Sequence, residues 1–295
     1  MKKYILSIII FLVLLHTATA QSSGVREFPM EENALLWRIS GNNVHGDAFL
    51  FGTIHLIPAM DYFFPDTLKY INTHVDAIML EIDLTADLSG MFESLLLEEG
   101  SLFDFFSEVQ TDSLLTWAED KLGFNESQFR ISMGKMKPFV ISTMAAASGT
   151  TEPTESYDMN ISSNAKKAEI PVIGLETFQD QINMFDGFSR EEQTAMVMSA
   201  IRDDSITRSM NNEMVELYLG QNVDSLFLFA TGDSQHELDQ AIFLDDRNKR
   251  WIPQIADCIA EKNTLIAVGA GHLGGPNGVI RLLEREGYTL TPIKL

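Results

Sequence analysis

The sequence predicts an α/β (α+β) fold, a central mixed β-sheet surrounded by helices, with a helical middle region. Three observations carry this. Apolar runs that read as buried strands lie near both ends of the chain, AFLFGTIH at 48–55 and LIAVGAGH at 265–272. Between them, from Leu88 to about Gly220, apolar residues recur mostly at three- and four-residue intervals. Two further short apolar runs each lead into an acid, VDAIMLE at 75–81 and IPVIGL at 170–175 followed by Glu176. A sheet built from both ends of the chain cannot form without both, so residues 34–295 are expected to make a single domain.

The first 33 residues stand outside that domain. Lys2 and Lys3 precede an apolar core over Tyr4–Leu15, and Ala18-Thr19-Ala20 offers a small-residue cleavage site before Gln21. The apolar run is shorter than the roughly 20 residues a membrane span needs. Residues 1–20 therefore read as a signal peptide and 21–33 as a flexible mature N-terminus. Removing the two lysines takes the net charge from −21 to −23. So acidic a surface disfavours nucleic acid and anionic lipid. No later stretch is apolar enough to span a membrane, and the mature chain is expected to be exported, periplasmic or extracellular, in a bacterium. Its single cysteine, Cys258, excludes an intramolecular disulfide. Cys258 keeps helical spacing with Ile255 and Ile259 and reads as core filler rather than a nucleophile.

Taken in order, LLWRI within 34–39 alternates as a strand, Gly41-Asn42-Asn43 is turn chemistry, and 48–52 is the returning strand of a hairpin. Residues 57–65 read as an aromatic loop and 67–73 as a short helix. Helices are expected over 101–106, 112–122, 126–131, 138–147 and 157–168, with a break at 149–153. Further helices are expected at 179–185, 190–219 and 223–230, the last ended by Gly232. The methionines from Met184 to Met214 read as core filler. Residues 237–262 read as one or two helices interrupted near Pro253. A strand over 265–269, a helix over 278–287 ending on glycine and a closing strand over 288–293 complete the chain.

Both Gly-x-x-His segments read as a strand, a turn that only glycine allows, and an imidazole at the strand end. His55, Glu81 and His272 thus come after three apolar strands, and Glu176 after the fourth. In open α/β sheets ligands gather at the carboxyl ends of strands. Two histidines and a carboxylate are the usual donors for a divalent transition metal with positions open to water. Asp83 shares a face with Glu81 in strand alternation, so spacing does not choose between them. The run Asp245-Asp246-Arg247-Asn248-Lys249-Arg250 reads first as a solvated helix face with Asp246 and Arg250 paired four apart. Its functional reading puts Arg247 or Asn248 into the site, as anion clamp or neutral ligand.

Other motifs fail. HELDQ at 236–240 lacks the second histidine of a zincin helix. GAGHLG at 269–274 matches a dinucleotide fingerprint in form, but the chain ends at Leu295 with no acid about twenty residues on. There is no Gly-x-Ser-x-Gly elbow and no P-loop.

Taken together, GTIH at 52–55, LEID at 80–83, VIGLET at 172–177 with Gln181 beyond it, Arg247-Asn248, and VGAGHLGGPNGVIRLLEREGY at 268–288 resemble the TraB/GumN family, which includes the Tiki proteases and the pheromone-shutdown proteins. The resemblance runs from about Ala34 to Ile293. It implies a mixed sheet similar to the erythromycin-esterase and ChaN-like folds. It also implies metal-dependent peptide hydrolysis as in the Tiki branch, with manganese or cobalt favoured and zinc a third choice. Carried over by position, His55, Glu81, Asn248 and His272 become the metal residues. Glu176 falls in the family's LET motif, to which the resemblance gives no role. In the mechanism these residues suggest, Glu176, or Glu81 where it is not a ligand, is the general base, and Arg247 steadies a carboxylate or the developing oxyanion. Tyr157-Asp158 also resembles a family segment. The expectation is an exported metal-dependent hydrolase acting on a peptide or protein. Its rivals are a non-catalytic haem-, metal- or peptide-binding protein of the same fold, and an esterase-type hydrolase.

Overall fold

The computed structural model describes residues 32–85, 90–148, 153–202, 204–232 and 241–295. The signal peptide expected over 1–20, most of the 21–33 segment, and the HELDQ stretch lie outside them. The fold is α/β, as expected, with a mixed six-stranded sheet and twelve α-helices among the described residues. The chain divides into two compact units.

One unit comprises Asp87–Pro153 and Phe178–Asn211 and is helical. Ser107 and Asn125 begin helices there with reciprocal capping boxes, so orphan amide groups at both starts are satisfied by side chains. The helix Pro138–Ser148 is buried almost all round and packs chiefly on Arg190–Arg202. Phe139 stacks on Phe185 at 4.9 Å between ring centroids. Met184, Met196 and Met198 are half-buried, at the margin of this packing rather than its centre.

The other unit holds the sheet, in Ala18–Ala86, Thr154–Thr177 and Asn212–Leu295. Its strands are β1 (Leu36–Ser40), β2 (Ala48–Thr53), β3 (Ile57–Pro58), β4 (Ala77–Leu80), β5 (Thr154–Glu155), β6 (Val172–Gly174), β7 (Thr264–Gly269) and β8 (Thr289–Ile293). The large sheet runs β6-β4-β7-β2-β1-β8. β6, β4, β7 and β2 are parallel, while β1 is antiparallel to both β2 and β8. β4 and β7 are buried along almost their whole length, which is why they read as continuous apolar runs rather than alternating ones. β2 and β7 are neighbours, with Thr53 opposite Gly269, so the two Gly-x-x-His segments leave the sheet side by side at one edge.

The two motif glycines need correction. Neither Gly52 nor Gly269 is among the glycines with positive φ. Gly52 lies within β2, and a Cβ there would stand 3.0 Å from Ala270 Cβ and 3.1 Å from Leu273 Cδ2. It is glycine because the turn after β7 closes against the strand, and a methyl group would fill that contact.

The aromatic loop after His55 also differs from expectation. Ile57–Pro58 pairs with Thr154–Glu155 as a separate two-stranded sheet, β3-β5, too short to leave any periodic signal. Pro253 does not interrupt its helix, which runs from Asp246 to Ile259. Pro253 lies on the exposed side, so the hydrogen bond it cannot make is lost where water replaces it. Cys258 is partly buried against the core, with Sγ 3.4 Å from Thr264 Oγ1.

Candidate functional site

The parallel register gathers the strand-end side chains at one edge. Beyond β4 and β6 the pairing continues as Leu175 N–H to Leu80 O and Glu176 N–H to Glu81 O, which sets the two glutamates abreast. Glu81 is buried, and its Oε1 accepts from Gly269 N–H at 2.8 Å. Asp83 serves elsewhere: its Oδ1 accepts from Thr85 N–H and Oγ1–H in a local turn. The strand-end acid is therefore Glu81.

Arg247 enters from the Asp246–Ile259 helix and is 1 % exposed. It sits among acceptors on every side. Nε donates to both oxygens of Glu176 at 3.1 Å. Nη2 donates to Glu81 Oε2 at 2.5 Å and to Glu176 Oε1. Nη1 donates to Phe243 O and meets His272 Nε2, each at 3.1 Å. A guanidinium has five N–H groups, and these acceptors engage all five. The Trp251 ring lies 4.9 Å from its Cζ and 4.6 Å from the His272 ring. In the polar run it shares, the ion pair falls between Asp246 and Lys249, three apart, at 3.2 Å.

His272, also 1 % exposed, is held from behind by Asn248. The Asn248 Oδ1 lies 2.7 Å from His272 Nδ1, while Nδ2 donates to the carbonyls of Asn277 and His272. An amide oxygen only accepts, so Nδ1 carries the proton and Nε2 is the lone pair turned to Arg247. Burial first, and the Arg247 charge second, push this imidazole down to about 3, so it stays neutral. Burial alone would raise the Glu81 carboxyl, but Arg247, His272 and His55 together with the Gly269 amide hold it well below the usual carboxylate range.

His55 differs from His272 in both exposure and partner. Its side chain is 20 % exposed against 1 % for His272, so solvent reaches it. Its Nδ1 lies 2.8 Å from Asp158 Oδ2, on the Tyr157–Lys167 helix, and Asp158 Oδ1 accepts from Thr53 Oγ1–H at 2.9 Å. Burial lowers the imidazole's affinity for a proton, but the Asp158 charge and hydrogen bond outweigh it, and the net shift is upward. Asp158 and Thr53 escape a strand-end reading because one opens a helix and the other ends β2 as an ordinary polar residue. In the family resemblance, the Tyr157-Asp158 segment reaches Asp158, and GTIH at 52–55 spans Thr53 without giving it a role.

Gly269 lies at the centre. A Cβ there would stand 3.2 Å from Glu81 Oε1, 3.6 Å from His272 Cδ2 and 3.9 Å from His55 Nε2. The donor types suit a divalent ion, but as arranged they do not form a ligand shell. His272 Nε2 is engaged by Arg247, Glu81 Oε1 by the Gly269 amide, and Asn248 Oδ1 by the far side of His272. Among the described residues no group of three or more His, Cys, Asp or Glu is placed to hold a metal.

No helix among the described residues is long and apolar enough to cross a membrane. No curated protein and no solved structure matches the chain. A family-wide sequence profile does match, over residues 35–292, nearly the whole length. Those residues include both strand-end histidines, both glutamates and the Arg-Asn pair, and the chain belongs to the TraB/PrgY/gumN family.

Proposed function

We propose that this protein is a hydrolase that adds water to the carbonyl carbon of a peptide or ester, with His55 as general base. The observation that carries the reading is the placement of His55: the solvent-reached imidazole of the pair, tied through Nδ1 to Asp158, with Nε2 turned toward Glu81 and Gly269. Nε2 takes a proton from water as its oxygen bonds to the carbonyl carbon, and Asp158 stabilises the imidazolium. The same nitrogen returns the proton to the departing nitrogen or oxygen as the scissile bond breaks. Arg247 has no donor left for substrate. It neutralises Glu81 and Glu176 and holds His272, so it acts as a positioning residue. Glu176, bonded side-on to Arg247, belongs to the same support.

A second reading is favoured by the convergence of two imidazoles and a carboxylate on the space beside Gly269. Here His55, Glu81 and His272 would hold a manganese, cobalt or zinc ion once Arg247 Nη1 releases His272 Nε2. The ion would make a bound water more acidic. The proposal includes export, supported by the basic, apolar and small-residue order of residues 1–20.

Purified protein, His55→Ala and His272→Ala are assayed on peptide and ester panels, in chelator and with each metal added, beside elemental analysis. Turnover in chelator that His55→Ala abolishes supports the general-base reading. Turnover that needs metal, with stoichiometric metal lost in both variants, replaces it with the second. No turnover of either panel under any condition overturns the hydrolase.

A further inference from the structure

We propose that Thr53 is a positioning residue that sets the working tautomer of His55 through Asp158. This rests on the general-base reading of His55 and its pairing with Asp158.

Thr53 closes β2 and is 2 % exposed. Its hydroxyl donates to Asp158 Oδ1 at 2.9 Å, while the other oxygen of the same carboxylate meets His55 Nδ1 at 2.8 Å. A carboxylate held at one oxygen cannot rotate about its terminal bond without breaking that hydrogen bond. Its second oxygen is therefore presented to His55 in a fixed direction. With Nδ1 bearing the proton, Nε2 is left as the lone pair facing Glu81 and Gly269. Without the hydroxyl, Asp158 Oδ1 would be an anionic oxygen lacking this partner in a buried setting, and turning to recover one would loosen its hold on His55.

The surroundings hold both ends of this relay in place. β3 begins two residues after His55, and β5 ends three residues before Asp158. The pairs Ile57 with Glu155 and Pro58 with Thr154 thus tie the two segments together just beyond the contact. Tyr157, beside Asp158, donates from its hydroxyl to Phe63 O at 2.6 Å, and Tyr218 donates to Gly52 O at 3.0 Å, next to Thr53. Within this frame the carboxylate torsion of Asp158 is the soft coordinate, and the Thr53 hydroxyl restrains it.

The test needs no substrate. Full-length protein labelled with 15N in histidine is examined by long-range 1H–15N correlation at about pH 9, where imidazoles are neutral and each tautomer has its own pattern. Wild type and Thr53→Ser, which keeps the hydroxyl, are expected to show His55 protonated at Nδ1. Thr53→Val, which keeps the shape and loses the hydroxyl, is expected to shift His55 to a mixture of tautomers while the His272 pattern stays as in wild type. Thr53→Ala leaves room for a water on Asp158 and is read in the same way if Thr53→Val does not fold. A His55 pattern in the folded hydroxyl-free variant that superposes on wild type overturns the role given to Thr53. So does a Thr53→Ser shift as large as that of Thr53→Val, because packing would then be the cause. A wild-type His55 protonated at Nε2 overturns the pairing beneath it, whatever the hydrolysis assays give.

Discussion

Arg247 decides how this site stays charged in a buried place. Two carboxylates abreast at a strand edge would repel each other, and one guanidinium with five engaged N–H groups offsets both. Removing that cation alone takes the guanidinium away from two buried carboxylates. Arg247→Met is therefore expected to destabilise the protein by about 3–5 kcal/mol in urea denaturation. The triple variant Glu81→Gln/Arg247→Met/Glu176→Gln should recover a large part of the loss, since the remaining groups no longer carry charge. A triple variant less stable than the single one would sink this account. His272 gives the second residue-scale prediction. Its folded-state pKa is about 3, below the ordinary 6.5, so between those values the unfolded chain binds a proton that the folded chain refuses. Stability contributed at neutral pH is then lost as pH falls, by up to about 1.4 kcal/mol per pH unit from this group. His55, with its pKa raised, contributes in the opposite sense: its stabilisation is gained as pH falls through its folded value, is complete below the ordinary 6.5, and is lost as pH rises through the folded value. The difference between wild type and His272→Asn isolates the first effect. It should fall steadily between about pH 6.5 and about pH 4.5, and a flat difference there would contradict the assignment.

The elements show what carries a side chain to its place. Four parallel strands ending at one edge explain why His55, Glu81, Glu176 and His272 were legible in the sequence: a buried parallel strand is a plain apolar run, and the residues just past its end lie at the edge. Arg247 and Asn248 were harder to read. They sit in a run of six polar residues, and composition does not say which way that helix faces. The structure buries both to 1 % exposure while Asp246, Lys249 and Arg250 stay outside. Asp158 was legible only through resemblance, because a polar residue in the first turn of a helix has the ordinary look of a helix start. The pairing of β3 with β5 left no trace, since two residues show no period. Gly52 was picked out for the wrong physical reason, and the right one gives a prediction. Gly52→Ala places a methyl group 3.0 Å from Ala270 Cβ and 3.1 Å from Leu273 Cδ2, on the turn that delivers His272. Overpacking of this kind costs about 1–3 kcal/mol. Gly90→Ala, where nothing lies within 4 Å of the new Cβ, is the control and should stay within about 0.5 kcal/mol of wild type. Equal melting curves for the two variants would show that the turn does not depend on that close approach.

At the scale of the molecule, every side chain assigned to the site belongs to the sheet-bearing unit, yet these residues range from Thr53 to His272 in the chain. The sheet closes that separation. The last strand, β8, pairs along β1 from Leu36–Ile293 to Ser40–Thr289, and β1 pairs along β2, which delivers His55. β8 thus supports the site without touching it. It covers the outer edge of β1, and Tyr288 and Leu290 add to the apolar core on the way. A chain stopped after Gly287 would leave β1 as an edge strand with its amide and carbonyl groups open, at the side of a sheet rich in apolar residues. That truncation is expected to abolish the cooperative thermal transition of the sheet-bearing unit or to drive aggregation. A chain stopped after Ile293 is the control. Among the described residues it forfeits the hydrogen bonds from Lys294 Nζ to Asn33 O and from Gln221 Nε2 to Leu295 O and the partly buried Leu295 side chain, and it should melt within a few degrees of wild type. If the Gly287 truncation kept a cooperative transition, with the His55 and His272 imidazole patterns of the full chain, the site would assemble without β8. Closure of the sheet by the chain's end would then have no part in assembling it.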